Sequence, residues 1–202
     1  MSPMPRHNQP MLVLASQSPR RSEILRQAGI PFTVRPVEVD ETPLSGERPR
    51  AYVERLALAK ALAAPAGQQE TVLAADTTVT IDGAVLGKPA DAADARRMLA
   101  LLSGKRHDVL TGICLRKGDS PILDCASTAV WFQPLSDEEI GAYVASGEPD
   151  GKAGAYAIQG LASKFVERIE GCYFNVMGLP LARLWTSLRE FGWANAILSE
   201  NA

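Results

Sequence analysis

Ser16, Arg20 and Arg21 stand close together near the start of the chain, just after a short apolar segment. Between them, Ser18 suits the N-cap of a helix and Pro19 suits its first position, so a strand is predicted to lead into a helix N-terminus there. The free N–H groups of such a terminus attract anions, and guanidinium groups bind phosphate oxygens in pairs. A capped helix with solvated arginines explains the segment equally well. Arg21 falls on the core-facing stripe of the helix, which favours a specific role for it.

Lys60 and Asp76 also occupy positions that are unusual for charged side chains. Lys60 follows Val53 by seven residues and Leu56 by four, which puts it on the apolar face of a predicted helix. A lysine there usually extends its ammonium group to water, and phosphate binding is the alternative. Asp76 ends the apolar run 72–75, so its carboxylate is predicted at a strand terminus, aimed rigidly as a metal ligand or general base. A turn-forming aspartate suits the position less well, because β-branched residues continue the strand.

Glu41 lies in a polar loop, where an ordinary surface carboxylate is the simpler interpretation. The segment 83–89 resembles a P-loop only superficially, because it has three intervening residues where four are needed and ends in Pro89 instead of Ser or Thr. Taken together, several side chains could still form one phosphate and metal site. The candidates are Arg20, Arg21, Lys60 and Lys88 for the phosphates, and Glu41 and Asp76 for a divalent cation.

Histidine and cysteine chemistry is poorly supported. The two histidines are His7 and His107, so a hydrolase triad would depend on His107 alone, and a residue at the start of a strand is the better interpretation of that position. Neither GxGxxG nor HExxH occurs. The odd set of three cysteines, without CxxC spacing, indicates reduced thiols in a cytosolic protein, and neither a disulfide scaffold nor a zinc site.

The composition is that of an ordinary globular protein. The chain has 202 residues, and 21 Lys and Arg against 23 Asp and Glu give a net charge of −2. This balance argues against a dedicated nucleic-acid binder, and no apolar run is long enough to span a bilayer. Residues 1–10 are predicted to be a frayed polar tail and not a signal peptide, with a single domain over residues 11–202.

The apolar patterns predict an α/β fold with a mixed β-sheet and flanking helices. The Asp82-Gly83 pair predicts a hairpin, and Ser136 with Glu139 predicts a helix-starting capping box. Strands are predicted near 11–15, 32–37, 72–81, 84–86, 109–115, 122–132 and 165–169, and helices near 18–28, 48–63, 95–102, 136–144 and 181–188.

The sequence resembles the Maf family of nucleoside triphosphate pyrophosphatases in an ordered set of motifs from about residue 12 to 188. The matching pieces are LASQSPRR at 14–21, VDE at 39–41, ADT at 75–77, GKP at 87–89, LSG at 102–104, His107, TG at 111–112, KAGAYAIQG at 152–160 and GLPL at 178–181. The resemblance implies an elongated, two-lobed fold similar to that of inosine triphosphate pyrophosphatases, with a central cleft. It also implies release of pyrophosphate from a nucleoside triphosphate with a divalent cation such as Mg²⁺ or Mn²⁺, in the cytoplasm, by a protein that could be a homodimer.

The same resemblance implies roles for individual residues. Asp76 takes the place of the catalytic proton acceptor and Glu41 that of its neighbouring acid, and both would hold the metal. The remaining catalytic and substrate-binding positions would be Lys60, Lys88, Ser16, Arg20, Arg21, Thr77 and Gln159. Gly151 stands where many relatives have Asp, so no acid is expected there.

Three of these positions divide the family by substrate. The branch that acts on 7-methyl-GTP carries Trp, Gln and Glu where this chain has Arg20, Thr77 and Gln159, which match the dTTP/UTP branch. A Gln amide offers both a donor and an acceptor, as the O4 and N3–H of thymine or uracil require. The predicted substrate is therefore dTTP or UTP, or a modified pyrimidine nucleotide. The alternatives are the 7-methyl-GTP activity and a non-enzymatic role as a regulator of septum formation.

Overall fold

The computed structural model describes residues 11–193 as a mixed sheet flanked by helices. The strands are β1 (Met11–Leu14), β2 (Phe32–Val34), β3 (Glu70–Ile81), β4 (Ala84–Leu86), β5 (Arg106–Lys117), β6 (Ser120–Phe132) and β7 (Val166–Glu170). The α-helices are α1 (Pro19–Gln27), α2 (Pro49–Ala63), α3 (Ala92–Leu102), α4 (Asp137–Ala145), α5 (Tyr173–Met177) and α6 (Leu181–Glu190), with 3₁₀ helices at Ala153–Ala155 and Leu161–Phe165. No helix within this range is both long enough and apolar enough to cross a membrane.

The strand order of the sheet is β2-β1-β3-β5-β6-β7, with β4 also paired to β3. Strand β1 runs parallel to β2 and β3, and every other pairing is antiparallel. The parallel pairs β1–β2 and β1–β3 are joined through α1 and through α2, as parallel connections require. The long β3 and β5 strands therefore form the centre of the sheet.

One edge of β3 is open in the middle. Strand β5 pairs along one edge of β3 from Thr71 to Thr80. On the other edge, β1 pairs with residues 70–73 and β4 with residues 79–81. Residues 74–78 therefore have no strand beside them on that edge, within the part of the chain that the structure describes. The chain leaves β1 and β4 at this opening, so the loops that follow both strands meet beside Asp76.

The two faces of the sheet are packed differently. Helix α2 lies across β3 and β5 and contributes Ala57 and Ala61 to a cluster of mostly small residues. On the opposite face, a larger core of Leu, Ile and aromatic side chains packs against α1, α3 and α6. The close contact of α2 is possible because a Cβ at Gly112 of β5 would lie only 2.5 Å from the backbone O of Val53. Gly112 therefore determines how closely α2 approaches the sheet.

Most predicted elements are confirmed, including the mixed α/β architecture, the capping box and the Asp82-Gly83 turn, in which both residues have positive φ. The three cysteines are free thiols, as predicted. The predicted tail at 1–10 lies outside the described residues, as do the last residues of the predicted domain.

Ser18 and Pro19 occupy the N-cap and first positions of α1 as predicted, although the Ser18 side chain makes no capping hydrogen bond. Two local predictions are wrong. Asp76 lies in the middle of β3 and not at a strand terminus, because the strand continues to Ile81. The strand predicted at 165–169 begins at Val166, because Phe165 ends a 3₁₀ helix with its ring buried in the core.

Candidate active site

A cleft of about 1000 Å³ opens at the gap beside the middle of β3. Its walls come from the β1–α1 junction, the loop 37–41, helix α2, strand β3, the loop after β4 and the segment 150–159. All nine side chains predicted to form a site line this one cavity, although they are spread over most of the chain. They are Ser16, Arg20, Arg21, Glu41, Lys60, Asp76, Thr77, Lys88 and Gln159.

Lys60 bridges the two acids. Its Nζ donates to Glu41 Oε1 at 2.6 Å and to Asp76 Oδ1 at 2.7 Å, and Lys88 Nζ donates to the other Glu41 oxygen at 3.2 Å. Lys60 and Asp76 are only 9% and 8% exposed, respectively. The ammonium group of Lys60 is therefore held inside the cleft by carboxylates and does not extend to water from the helix surface.

Alternation along β3 explains how Asp76 reaches Lys60. Asp76 points to the face that α2 covers, and its partner across the β3–β5 ladder is Gly112. Because Gly112 has no side chain, α2 lies close enough for Lys60 to reach Asp76. The neighbouring Thr77 points to the opposite face. Asp76 and Thr77 thus bring a carboxylate and a hydroxyl group to the same cleft from opposite faces of the sheet.

The loop that carries Glu41 is tied to α2. The hydroxyl group of Tyr52 donates to the backbone O of Glu41 at 2.9 Å. Burial, helped by the charges of Asp76 and Glu41, raises the pKa of Tyr52 to about 12, so the hydroxyl keeps its proton. Partial burial disfavours the charged form of Glu41, but Lys60 and Lys88 outweigh it and lower its pKa overall. Glu41 is therefore ionised at neutral pH.

Arg21 is held by three other parts of the chain. Its Nε donates to the backbone O of Gly178 at 2.8 Å, its Nη1 to Ser16 Oγ at 3.0 Å and its Nη2 to Thr77 Oγ1 at 3.1 Å. Burial lowers the pKa of Arg21, and the nearby Asp76 partly offsets this effect. A guanidinium group has five N–H donors, so two remain for a ligand in the cleft.

Arg20 and Lys152 form a second cationic group. Arg20 Nε is buried without a hydrogen-bond partner among residues 11–193. Burial lowers the pKa of Arg20, and burial together with the charge of Arg20 lowers the pKa of Lys152. Lys152 Nζ donates to the backbone O of Asp150 at 3.2 Å. Among residues 11–193, neither of these cations has a close carboxylate partner of the kind that Lys60 and Lys88 have.

Glu148 holds the chain that follows Gln159. Its Oε1 accepts a hydrogen bond from the hydroxyl group of Tyr143 at 2.9 Å, and its Oε2 accepts one from the backbone N of Leu161 at 2.9 Å. The Tyr143 hydroxyl also accepts from the backbone N of Ala157 at 3.2 Å. The positions of residues on both sides of Gln159 are therefore fixed by these two side chains.

Sequence reasoning did not assign a role to several residues in or beside the cleft. Lys152 lines the cleft and Thr111 Oγ1 lies 3.0 Å from Thr77 Oγ1, and both residues lie in motifs that the family resemblance includes. Tyr143 and Glu148 lie in none of the motifs of the family resemblance. The one available signal was the short distance along the sequence from Glu148 to Lys152 and Gln159.

His107 does not belong to the cleft lining. It is the second residue of β5 and 1% exposed, and its Nε2 lies 2.9 Å from the Tyr156 hydroxyl oxygen. Burial lowers its pKa to about 4. The interpretation as a residue at the start of a strand is therefore confirmed, and a triad based on His107 has no support.

Asp76 and Glu41 are the groups suited to a metal ion. Within residues 11–193, no cluster of three or more His, Cys, Asp or Glu side chains could enclose one. Mg²⁺ commonly takes one or two carboxylates together with phosphate oxygens of the substrate and water. The donor set therefore fits a hard divalent cation shared with a phosphate-bearing ligand, and not a site built from protein ligands alone.

Comparison with known proteins identifies the family to which the chain belongs. The profile of the Maf-like protein family matches residues 11–191. A protein of Anaeromyxobacter dehalogenans (strain 2CP-C), named dTTP/UTP pyrophosphatase, is 55% identical over 91% of this chain and 95% of its own length. A protein of the same name from Symbiobacterium thermophilum is 52% identical over 90% of this chain and 94% of its own. Among solved structures, a HAM1 protein from Coxiella burnetii is 20% identical, with a TM-score of 0.44 over 60% of this chain and 72% of its own. The family profile and the two relatives together show that the chain belongs to the Maf family.

Proposed function

We propose that this protein hydrolyses dTTP and UTP to the nucleoside monophosphate and pyrophosphate. The observation that carries the proposal is the buried Lys60, which bridges Asp76 and Glu41 in a cleft that also holds Arg21 and Lys88. Cationic side chains can neutralise the charge of a polyphosphate, and a neighbouring carboxylate can activate the water molecule that attacks it. Relatives more than half identical to this chain are named dTTP/UTP pyrophosphatase, and Arg20, Thr77 and Gln159 match that branch of the family.

The cations would bind the triphosphate. Lys60 and Lys88 now contact carboxylate oxygens, and phosphate oxygens would compete for both ammonium groups. Arg21 would add its two free N–H groups, beside the N-terminus of α1. This arrangement would neutralise the negative charge that develops on the leaving pyrophosphate, so positioning and electrostatics supply most of the catalysis.

Asp76 would act on the attacking water. Once Lys60 turns to the phosphates, the carboxylate of Asp76 can accept a proton from a water molecule aimed at the α-phosphorus. The water oxygen forms the new bond to phosphorus, the bond between the α-phosphorus and the bridging oxygen breaks, and pyrophosphate leaves. Asp76 is rigidly aimed because it lies within the β3–β5 ladder.

Asp76 and Glu41 would also hold a divalent cation, which would supply charge neutralisation to the triphosphate. In the absence of substrate, Lys60 occupies one oxygen atom of each of these carboxylates. The carboxylates are therefore better able to bind a cation after the phosphates have drawn Lys60 away. The protein would bind the metal and the triphosphate together.

A panel of triphosphates tests this function. Purified protein is incubated with Mg²⁺ or Mn²⁺ and with dTTP, UTP, dCTP, GTP or 7-methyl-GTP, and released pyrophosphate is measured. We expect dTTP and UTP to be the best substrates and EDTA to abolish the reaction. Preference for 7-methyl-GTP would contradict the assigned branch. Absence of pyrophosphate release from every triphosphate would leave the septum-formation role as the better explanation.

A cytoplasmic location, a homodimer, the absence of nucleic-acid partners and a single domain over residues 11–202 stay predictions. Light scattering of the purified protein measures the oligomeric state directly. A mass near that of one 21.7 kDa chain would contradict the homodimer.

A further inference from the structure

A chain of hydroxyl groups connects Arg21 in the cleft to helix α5. Thr77 Oγ1 accepts from Arg21 Nη2 at 3.1 Å and lies 3.0 Å from Thr111 Oγ1, its neighbour across the β3–β5 ladder. Thr111 Oγ1 in turn donates to the backbone O of Asn175 at 3.0 Å. Thr111 is 0% exposed, so no solvent competes for its hydroxyl group.

The donors and acceptors in this chain have a single consistent direction. A carbonyl oxygen can only accept, so the one hydroxyl hydrogen of Thr111 points to Asn175. Thr111 must then accept from Thr77, and Thr77 must accept from Arg21. The hydroxyl hydrogen of Thr77 is therefore directed into the protein, and Thr77 has no hydrogen left for a ligand in the cleft.

The far end of this chain is firmly anchored. Asn175 is 0% exposed, and its Nδ2 donates to the backbone O of Val109 at 2.9 Å and to Thr128 Oγ1 at 3.0 Å. These bonds fix α5 against β5 and β6. Gly178, which ends α5 with a positive φ of 112°, supplies the carbonyl that accepts from Arg21 Nε. The segment 175–178 thus holds Arg21 twice, once directly and once through Thr111 and Thr77.

We propose that Thr77 and Thr111 are positioning residues that fix the orientation of the Arg21 guanidinium group, and that Thr77 does not donate a hydrogen bond to the nucleobase. The inference rests on the proposed function in one respect, namely that Arg21 binds phosphate. Thr77 is one of the three positions that divide the family by substrate, but in this structure its uncharged hydroxyl group accepts a hydrogen bond from Arg21. A fixed arginine binds its ligand more tightly than a mobile one, because less rotational freedom is lost on binding.

The test uses Thr111→Val, which keeps the shape of the side chain and removes the hydroxyl group. The matched control is Thr78→Val, because Thr78 is also buried in β3 but its Oγ1 has no hydrogen-bond partner within residues 11–193. Binding of inorganic tripolyphosphate in Mg²⁺ is measured by calorimetry. We expect Thr111→Val to weaken binding about tenfold and Thr78→Val to leave it unchanged.

Three further measurements distinguish positioning from a general loss of structure. Thr111→Ser keeps the hydroxyl group and should restore tripolyphosphate binding. In an Arg21→Gln background, Thr111→Val should weaken binding no further, since its effect acts through Arg21. Thr77→Val should raise the KM for dTTP and for GTP by the same factor, so that the preference between the two bases is unchanged.

Any one of three results would overturn the proposal. The losses of tripolyphosphate affinity in Thr111→Val and Arg21→Gln could be fully additive, Thr77→Val could alter the base preference, or Thr111→Val and Thr78→Val could weaken tripolyphosphate binding equally. A wild-type protein that does not bind tripolyphosphate would also overturn it. Because tripolyphosphate has no base and binding needs no turnover, these results are separable from the triphosphate panel. A protein that binds tripolyphosphate through Arg21 but does not hydrolyse dTTP would refute the proposed function alone.

Discussion

Two parts of the cleft differ in how their charges are matched. The ion-paired part consists of Glu41, Lys60, Asp76 and Lys88, in which each ammonium group already contacts a carboxylate. The loop part consists of Arg20, Lys152 and Gln159, in which the two cations are partly buried and make no such contact with any residue that the structure describes. In the first part, Asp76 lies on β3 and Lys60 on α2, while Glu41 and Lys88 lie on loops. In the second part, Lys152 and Gln159 lie on a segment that Glu148 holds, and Arg20 lies in α1.

This difference indicates two modes of ligand binding. At the ion-paired part, the proposed triphosphate would have to exchange partners, because Lys60 would leave the carboxylates that it contacts. At the loop part, an anionic or polar ligand gains contacts without breaking ion pairs. Exchange suits a catalytic site whose charges change during the reaction, and simple addition suits recognition.

Asp76→Asn should nearly abolish activity. The amide cannot accept the proton of the attacking water, and loss of a positioned base costs about 10²–10⁴ in kcat. Pyrophosphate release from dTTP measures the effect, and circular dichroism checks the fold. The matched control is Asp82→Asn, because Asp82 lies in the exposed β3–β4 hairpin outside the cleft and should tolerate the change. Turnover near the wild-type rate by a folded Asp76→Asn protein would show that Asp76 is not the proton acceptor and that the ion-paired part is not the catalytic part of the cleft.

Arg20→Trp combined with Gln159→Glu should change the preferred base. A Trp can stack on a cationic methylated purine, and a Glu can accept from the N–H edge of guanine. The ratio of kcat/KM for 7-methyl-GTP to that for dTTP should rise by about 10- to 100-fold. Gln69→Glu, the same substitution as that at Gln159 but at an exposed position outside the cleft, should leave the ratio unaltered. An unaltered ratio in the double variant would show that the loop part does not recognise the base.

Lys60→Met should increase the affinity for a divalent cation in the absence of nucleotide. Removing the ammonium group exposes Asp76 Oδ1 and Glu41 Oε1 to the metal, and we expect about tenfold tighter Mn²⁺ binding. Electron paramagnetic resonance of free Mn²⁺ measures this without any turnover. Lys164→Met, on an exposed residue outside the cleft, serves as the control. If Mn²⁺ binds Lys60→Met and wild-type protein equally, Lys60 does not compete with the metal.

Lys88→Met should raise the pKa of Glu41. Burial raises this pKa, and Lys60 and Lys88 lower it further than burial raises it, so the folded value lies below the ordinary 4.5. The ion pairs therefore contribute stability above pH 4.5, and this contribution is lost as the pH falls through the lower folded value. A carboxyl titration followed by NMR measures the shift. We expect a small change, because Lys88 is 62% exposed; an unchanged midpoint would show that Lys88 does not act on Glu41 in solution.

The sequence predicted Lys60 and Asp76 because each of these two residues has a local signal, whereas Glu41 suited an ordinary surface carboxylate and Lys88 lay in a segment that resembles a P-loop only superficially. Helical spacing places Lys60 on the buried face of α2, and the apolar run before Asp76 indicates a strand. The gap beside Asp76 was not predictable, since it depends on β1 and β4 pairing with opposite ends of one edge of β3. A single segment contains no information about such a gap.

The loop part was harder to predict for a related reason. Glu148 acts on the backbone N of Leu161, and the sequence does not show that a turn brings these residues together. The same holds for Thr111, whose hydroxyl group matters because Asn175 lies beside it. Side chains that bind distant backbone atoms carry no pattern in the sequence. The functional roles of the nine predicted site residues stay predictions until the variants are measured.

Gly112 leaves no room for a side-chain carbon between β5 and the backbone of α2. The reach from Lys60 to Asp76 is thus determined by contact between main-chain atoms, which mutation of surrounding side chains does not alter. In the loop part, which we propose to contact the base, Lys152 and Gln159 lie outside the strands and α-helices, where replacements are tolerated more easily. Evolution can therefore change the nucleotide that such an enzyme accepts while the geometry of bond cleavage is inherited intact.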